Sequence, residues 1–315
     1  VTFPAQLSGL DAAAGLPARP LHLAIGMFDG VHLGHRAVVA AAVQSARAGG
    51  GLAAALTFHP HPSALFTPGK PTRLILDPSA KAALLQSLGV DVVVTQPFTP
   101  EFAAIEAGAF LPFLKKALPG LMEIYVGEDW RFGAGRRGDL PLLVSEARKL
   151  GVSVYSAPPV SLDGEPVSST RIRGLLEAGR IGEANALLGS PYSARGVVEG
   201  GKGLGRAIAF PTLNLAWSPD LRPRFGVYAV NVAGNRPPGS AHGVANYGVR
   251  PTVETTTQPL LEAHVLGPCG LGRGDEITVE WLQFLRPEMR FPGVDELRAQ
   301  IARDVKQARG FFGID

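Results

Sequence analysis

Two histidines, His32 and His35, stand three residues apart in the run Gly26-Met27-Phe28-Asp29-Gly30-Val31-His32-Leu33-Gly34-His35, between a short apolar run and a segment with helical periodicity. A strand-to-helix junction there puts both imidazoles at a helix N-terminus, where unbonded N–H groups and the helix dipole already attract an anion. Imidazoles can donate hydrogen bonds to an oxygen whose charge grows in a transition state. Gly34 lets the backbone approach a phosphate with no Cβ in the way, and Gly26 and Phe28 are read with it as parts of the same phosphate-binding turn. A pair of structural histidines in a Gly-rich turn is the plain alternative; the spacing and position favour phosphate chemistry.

Ser168, Ser169 and Thr170 open a later helix and can cap its N–H groups. Arg171 and Arg173 in its first turn run against the dipole, a conflict that a bound polyphosphate resolves. His59, Pro60 and His61 follow a second apolar run and read as pocket lining; Asp129 follows a fourth, where an ion pair with a basic neighbour and a contact to a polar edge of a ligand fit equally well. Zinc held by the four histidines is disfavoured, because no cysteine joins them and two prolines stiffen the loop. Nearer the C-terminus, Gly203, Gly205 and Arg206 lie in a Gly-rich loop that lacks the P-loop pattern. Thr212 and Asn214 share a face of an extended segment, offering two hard oxygen ligands beside that loop. Glu262 and His264 alternate with Leu261, Ala263 and Val265, as on a strand. A carboxylate so held can take a proton from a hydroxyl, although a solvated edge fits the spacing equally well.

The elements that must position these groups fall into two halves. Residues 21–26, 52–58, 91–95, 121–126 and 152–156 predict strands, alternating with helices over 34–48, 78–88, 101–118 and 140–150. Such alternation implies a parallel sheet covered on both faces, with ligands at the carboxyl ends of its strands near a topological switch point. Residues 170–188 read as helical, broken at Gly179 and Gly182. Beyond Gly189, short β-type runs at 195–199, 226–232, 241–246, 260–266 and 276–284 predict an antiparallel barrel or sandwich, closed by a helix over 294–309. The predicted domains are residues 1–188 and 189–315.

Composition narrows the function classes. The 315 residues are 46% hydrophobic and 18% charged, enough for two cored domains and against global disorder. One cysteine excludes an intramolecular disulfide framework. A net charge of +3 with scattered arginines does not make a nucleic-acid stripe. The apolar runs are too short to span a bilayer, and the first twenty residues lack a signal-peptide pattern, so a soluble cytoplasmic protein is expected. Small anionic substrates are the expected partners, with neither nucleic acid nor membrane, leaving room for weak or transient self-association.

The strings GMFDGVHLGH, TFHPHP, VGEDWRFG and VSSTRIR resemble the FMN adenylyltransferase module of prokaryotic bifunctional FAD synthetases. GVVEGGKGLGRAIAFPTLNL, GVANYGVRPTV and LLEAHVL resemble the riboflavin kinase module of the same family. The resemblance implies a Rossmann-like α/β nucleotidyltransferase domain followed by a small β-barrel domain with a C-terminal helix. It implies ATP and Mg²⁺ as co-substrate and metal, with riboflavin, FMN and FAD as substrates and products. His32 and His35 would then stabilise the ATP phosphates in adenylyl transfer, with residues 168–171 and Arg173 on the nucleotide. His59, Pro60, His61 and Asp129 would line the flavin pocket. Thr212 and Asn214 would hold Mg²⁺ and phosphate, and Glu262 would be the kinase base. Met27, Trp130, Ala209 and the Cys269 segment depart from the usual pattern. The rival expectations are transfer to another phosphorylated acceptor and a catalytically silent flavin carrier.

Overall fold

The first half of the chain builds a six-stranded sheet, ordered β1-β4-β3-β2-β5-β6 with every neighbouring pair parallel. Its strands are β1 (Gln6–Ser8), β2 (Leu21–Ile25), β3 (Leu52–His59), β4 (Val92–Pro97), β5 (Leu121–Gly127) and β6 (Ser153–Ala157). The computed structural model describes residues 5–200, 210–236, 239–249 and 259–314. The strands are apolar on both faces because both are covered. Leu23 and Ile25 of β2 pack with Leu56, Ile124 and Phe110, whereas Ala24 between them packs with Val39, Ala42 and Leu85. The helices are α1 (Leu33–Ala48), α2 (Pro62–Phe66), α3 (Pro78–Ser87), α4 (Pro100–Ala103), α5 (Ala107–Ala117) and α6 (Leu140–Lys149). Asp77 and Asp139 cap α3 and α6, accepting from Ala80 N at 2.9 Å and Leu142 N at 3.0 Å.

The single helix expected over residues 101–118 is two. The chain breaks at 104–106, where the Ile105 carbonyl accepts from Ala134 N at 2.7 Å instead of continuing a helix. Gly133 there comes so close that a Cβ on it would lie 2.6 Å from Ala107 Cα. A short hairpin, β7 (Ser161–Leu162) with β8 (Glu165–Pro166), precedes α7 (Ser169–Ala178) and α8 (Ile181–Leu188). The break expected at Gly182 is absent, since Gly182 lies within α8 and only Gly179, at φ 78°, interrupts.

The chain divides into two compact units, Val1–Ser169 and Thr170–Asp315. The break precedes the one expected after residue 188 because α8 packs with the C-terminal strands. Asn185 Nδ2 donates to the Trp281 carbonyl at 2.7 Å, and its Oδ1 accepts from Tyr192 N at 2.8 Å.

The second unit is an antiparallel six-stranded sheet ordered β10-β13-β12-β11-β14-β9. These strands are β9 (Tyr192–Val197), β10 (Leu213–Leu215), β11 (Gly226–Gly234), β12 (Ser240–Val249), β13 (Pro259–Val265) and β14 (Glu276–Pro287). A bridge between Glu199 and Asn214, with Glu199 N donating to the Asn214 carbonyl at 2.8 Å, links the two outer strands into a small barrel. Trp281, Tyr228, Tyr247, Leu215, Leu261 and Ala263 are fully buried in it. Helix α9 (Val294–Phe312) packs Ala308, Val305 and Phe312 against Val227, Ala229 and Val244.

Candidate active sites

In the first unit the strand order reverses between β2 and β5, so the crevice at a topological switch point lies beyond their carboxyl ends. The turn after β2 is wound tightly: Phe28, Gly30 and Val31 have φ of 49°, 80° and 43°. Left-handed backbone at a phenylalanine and a β-branched valine is strained, and such strain is held where a turn must aim its side chains. Phe28 is buried, and a Cβ on Gly26 would sit 3.0 Å from its ring, so Gly26 makes room for Phe28. Arg36 Nε donates to the Val31 carbonyl at 3.1 Å and ties the turn to α1.

His32 is the N-cap of α1, with Nδ1 accepting from His35 N at 3.4 Å. The proton of its neutral ring therefore lies on Nε2. The two rings stack with centroids 3.6 Å apart, and Phe28 meets His35 edge-on at 5.4 Å. Burial, and then the charges of His32 and Lys81, hold His35 well below the usual imidazole value, so it is neutral at physiological pH. Its buried Nδ1 has no hydrogen-bond partner among the described residues.

The second motif meets the first. Ser169 Oγ donates to the Asp29 carbonyl at 2.9 Å, bringing the start of α7 to the imidazole turn. Thr170, Arg171 and Arg173 continue that helix. His59 and Pro60 are exposed at the end of β3, whereas His61 caps α2, its Nδ1 accepting from Ser63 N at 3.1 Å. Asp129 is exposed beyond the end of β5. Near His59 an aromatic cluster runs through Phe58, Phe98 and Phe102 to Phe110, which meets the stacked Trp130–Phe132 pair. Phe66 at its edge is 63% exposed and meets Phe98 at 6.1 Å. Sequence reasoning missed this cluster; the density of phenylalanines between 58 and 132 was its one signal.

In the second unit Glu262 lies half-buried on β13, an inner strand between β10 and β12, and so not on a sheet edge. It stands opposite Asn214 on one side and Asn246 on the other. Directly opposed residues hold their Cβ atoms roughly 4.5–5.5 Å apart, so these three side chains form one polar row. Asn214 is 7% exposed, and its amide donates to the Thr212 carbonyl at 3.4 Å. His264 Nδ1 donates to the Pro211 carbonyl at 2.8 Å and anchors the loop bearing Thr212. Asn246 and His264 were not singled out for roles by the sequence pattern; strand register reveals them. Gly203, Gly205 and Arg206 lie outside the described residues. Among the described residues no group of three or more His, Cys, Asp or Glu side chains could hold a metal. A Thr hydroxyl and an Asn carbonyl beside a carboxylate do suit a hard cation that keeps waters and phosphate oxygens as its other ligands.

Comparisons with known proteins show the same division. A family model described as FAD synthetase matches residues 17–171, and one described as riboflavin kinase matches residues 188–312. The bifunctional riboflavin kinase/FMN adenylyltransferase of Escherichia coli K12 is 37% identical over 310 residues, covering 98% of each chain. That of Bacillus subtilis 168 is 33% identical over 296 residues, covering 92% of each. The crystal structure of a macrolide-efflux protein from Streptococcus pneumoniae matches with a TM-score of 0.84 at 28% identity, covering 97% of this chain and 99% of that one. With both modules matched in order and relatives aligned over nearly the full length, the chain belongs to the bifunctional riboflavin kinase/FMN adenylyltransferase family.

Proposed function

We propose that this chain makes FAD from riboflavin in two ATP-dependent steps, with the second unit phosphorylating riboflavin and the first adenylylating FMN. The functional modules are residues 1–188 and 189–315, a division supported by the riboflavin kinase family match, which begins at residue 188. The reading is carried by two chemically distinct constellations: stacked imidazoles at the N-terminus of α1, and Glu262 in register with Asn214.

In the kinase reaction Glu262 accepts the proton of the ribityl 5′-hydroxyl as that oxygen attacks the γ-phosphorus of ATP and ADP leaves. Thr212 and Asn214 would hold Mg²⁺, which when bound neutralises charge on the transferring phosphoryl group. His264 keeps the Thr212 loop against β13. In the adenylyl transfer an FMN phosphate oxygen attacks the α-phosphorus of ATP and pyrophosphate leaves. That nucleophile is already anionic near neutral pH, so no strong base is needed. His32 offers Nε2–H to the crowded phosphate, and His35 joins it from the first turn of the helix; each such donor is worth roughly 3 kcal/mol. Ser168, Ser169, Thr170, Arg171 and Arg173 bind the nucleotide, and the exposed ring of Phe66 with His59, Pro60, His61 and Asp129 lines the flavin pocket. ATP and flavins as soluble substrates suit a cytoplasmic setting.

The test is a pair of separable lesions, read by chromatography of flavins after incubation with Mg-ATP. Glu262→Gln should lower FMN formation from riboflavin by about 10²- to 10⁴-fold and leave FMN-to-FAD conversion intact. His32→Ala combined with His35→Ala should do the reverse. Loss of both activities in either variant would overturn the two-site assignment.

A further inference from the structure

Lys81, on α3, has no place in that mechanism, yet it is only 3% exposed. Lysine is almost never so buried unless paired with a carboxylate, and the hydrogen-bond partners of its ammonium are neutral. Nζ donates to Thr57 Oγ1 at 2.8 Å and to the Met27 carbonyl at 3.1 Å, and Thr57 Oγ1 donates to that carbonyl at 2.9 Å. The knot joins α3, the end of β3 and the first residues after β2. Met27 directly precedes Phe28, where the left-handed turn begins.

Besides the Met27 carbonyl, four groups bear on this ammonium. Asp29, buried in the same turn and accepting from Ile75 N at 2.9 Å, is the negative charge that favours the protonated form. His35 and His32 on the side of α1 are the imidazoles, and the Lys81 charge reaches His35. Thr57 supplies the neutral hydroxyl from β3. Burial outweighs Asp29 and brings the ammonium down to about 8. An apolar side chain would fill the same space without the desolvation that a buried cation suffers. Both hydrogen bonds of its ammonium converge on the segment that leads into the imidazole turn, one directly at Met27 and one through Thr57.

We propose that Lys81 is a positioning residue for adenylyl transfer, its ammonium fixing the Met27 carbonyl and Thr57 so that the turn aims His32 and His35. The proposal rests on FMN adenylylation being the activity of the first unit, so the wild-type chain is assayed first for FAD formation from FMN and Mg-ATP. No FAD there would overturn that reading itself.

Lys81→Met, and Lys81→Met combined with Thr57→Val, are then compared with wild type as full-length chains. FAD formation is measured from about pH 6 to about pH 9.5, ATP is varied, and riboflavin kinase activity of the same preparations serves as reference. In Lys81→Met, kcat for FAD formation should fall by roughly 10²-fold, a loss typical of misplaced catalytic groups, with the KM for ATP and the kinase rate held within about twofold. Wild type should lose adenylyl-transfer rate on the alkaline side of about pH 8, where the neutral amine keeps two N–H donors but loses the charge that strengthens both bonds, and the variant should lack that limb. A kcat within twofold of wild type, or a retained alkaline limb, would overturn the proposal. So would a parallel loss of both activities with a lowered melting temperature, which marks a purely structural role. Should the variants not fold, a wild-type profile flat through pH 8 overturns it alone.

Discussion

Replacing Gly34 by alanine separates two reasons for a glycine in the imidazole turn. Gly34 lies in the first turn of α1, where its Cβ would meet His32 Cε1 at 3.3 Å and Nδ1 at 3.4 Å. His32 must therefore yield by a few tenths of an ångström, and its ring is already stacked on His35 with centroids 3.6 Å apart. A misplacement of about 1 Å can cost 10²-fold, so a shift of roughly 0.3–0.5 Å scales to a loss of about 4- to 10-fold in kcat for FAD formation. Stability should barely move. Alanine gains up to about 1 kcal/mol of helix propensity over glycine, and a weakened His32 cap costs about the same. The melting temperature should thus stay within about 4 °C. The assay follows FAD formation from FMN at varied ATP, with riboflavin kinase activity as the internal reference. If the glycine instead makes room for an ATP phosphate, the KM for ATP rises and kcat holds. Both parameters within twofold of wild type would refute the idea that ring spacing sets the rate.

Two further outcomes concern the second unit. A Cβ on Gly248 would fall 1.7 Å from Glu288 Oε1, the tip of a flexible side chain, so Gly248→Ala should swing Glu288 aside without straining the sheet. Asn246, which donates to Glu288 and stands opposite Glu262, would lose that support, and kinase kcat should fall by about threefold at nearly unchanged melting temperature. Arg286 and Asp304 form a bidentate pair at 2.8 Å with side chains 15% and 3% exposed. Asp304→Ala leaves a largely buried cation unpaired and should cost about 3–5 kcal/mol by denaturant titration. The kinase of that variant should fail at a lower temperature than its adenylyl transfer.

Much of this architecture was legible because local and tertiary signals agreed. The parallel sheet betrayed itself through apolar runs alternating with helical periodicity, and the imidazoles fell at a helix N-terminus because a strand, a Gly-containing turn and an apolar stripe met there. What stayed hidden depends on partners distant in sequence. The break between α4 and α5 arises from Ala134 taking the Ile105 carbonyl, which no window around residue 105 contains. Strand β10, only three residues long, is defined by its register with β13. Lys81 has the sequence context of a solvated helical lysine, and only the packing of α3 onto β3 buries it. The Asn214–Glu262–Asn246 row is likewise a fact of register, invisible to spacing along any one strand.

The two sites differ because their nucleophiles differ. A ribityl hydroxyl holds its proton far above neutral pH, so its attack needs an acceptor, and the acceptor proposed above, Glu262, sits on a strand paired on both edges. A phosphate monoester has already lost its protons, and a carboxylate beside it would add repulsion. What it needs are neutral donors and fixed positive charge around the phosphorus under attack, which in the proposed role the stacked imidazoles at a helix start would supply. Burial that keeps His35 uncharged suits this division, since a neutral ring donates or accepts where an imidazolium can only donate. Exchanging the groups would leave the hydroxyl without a base and the anion facing another anion, so under the proposed roles each constellation is chemically tied to its own reaction.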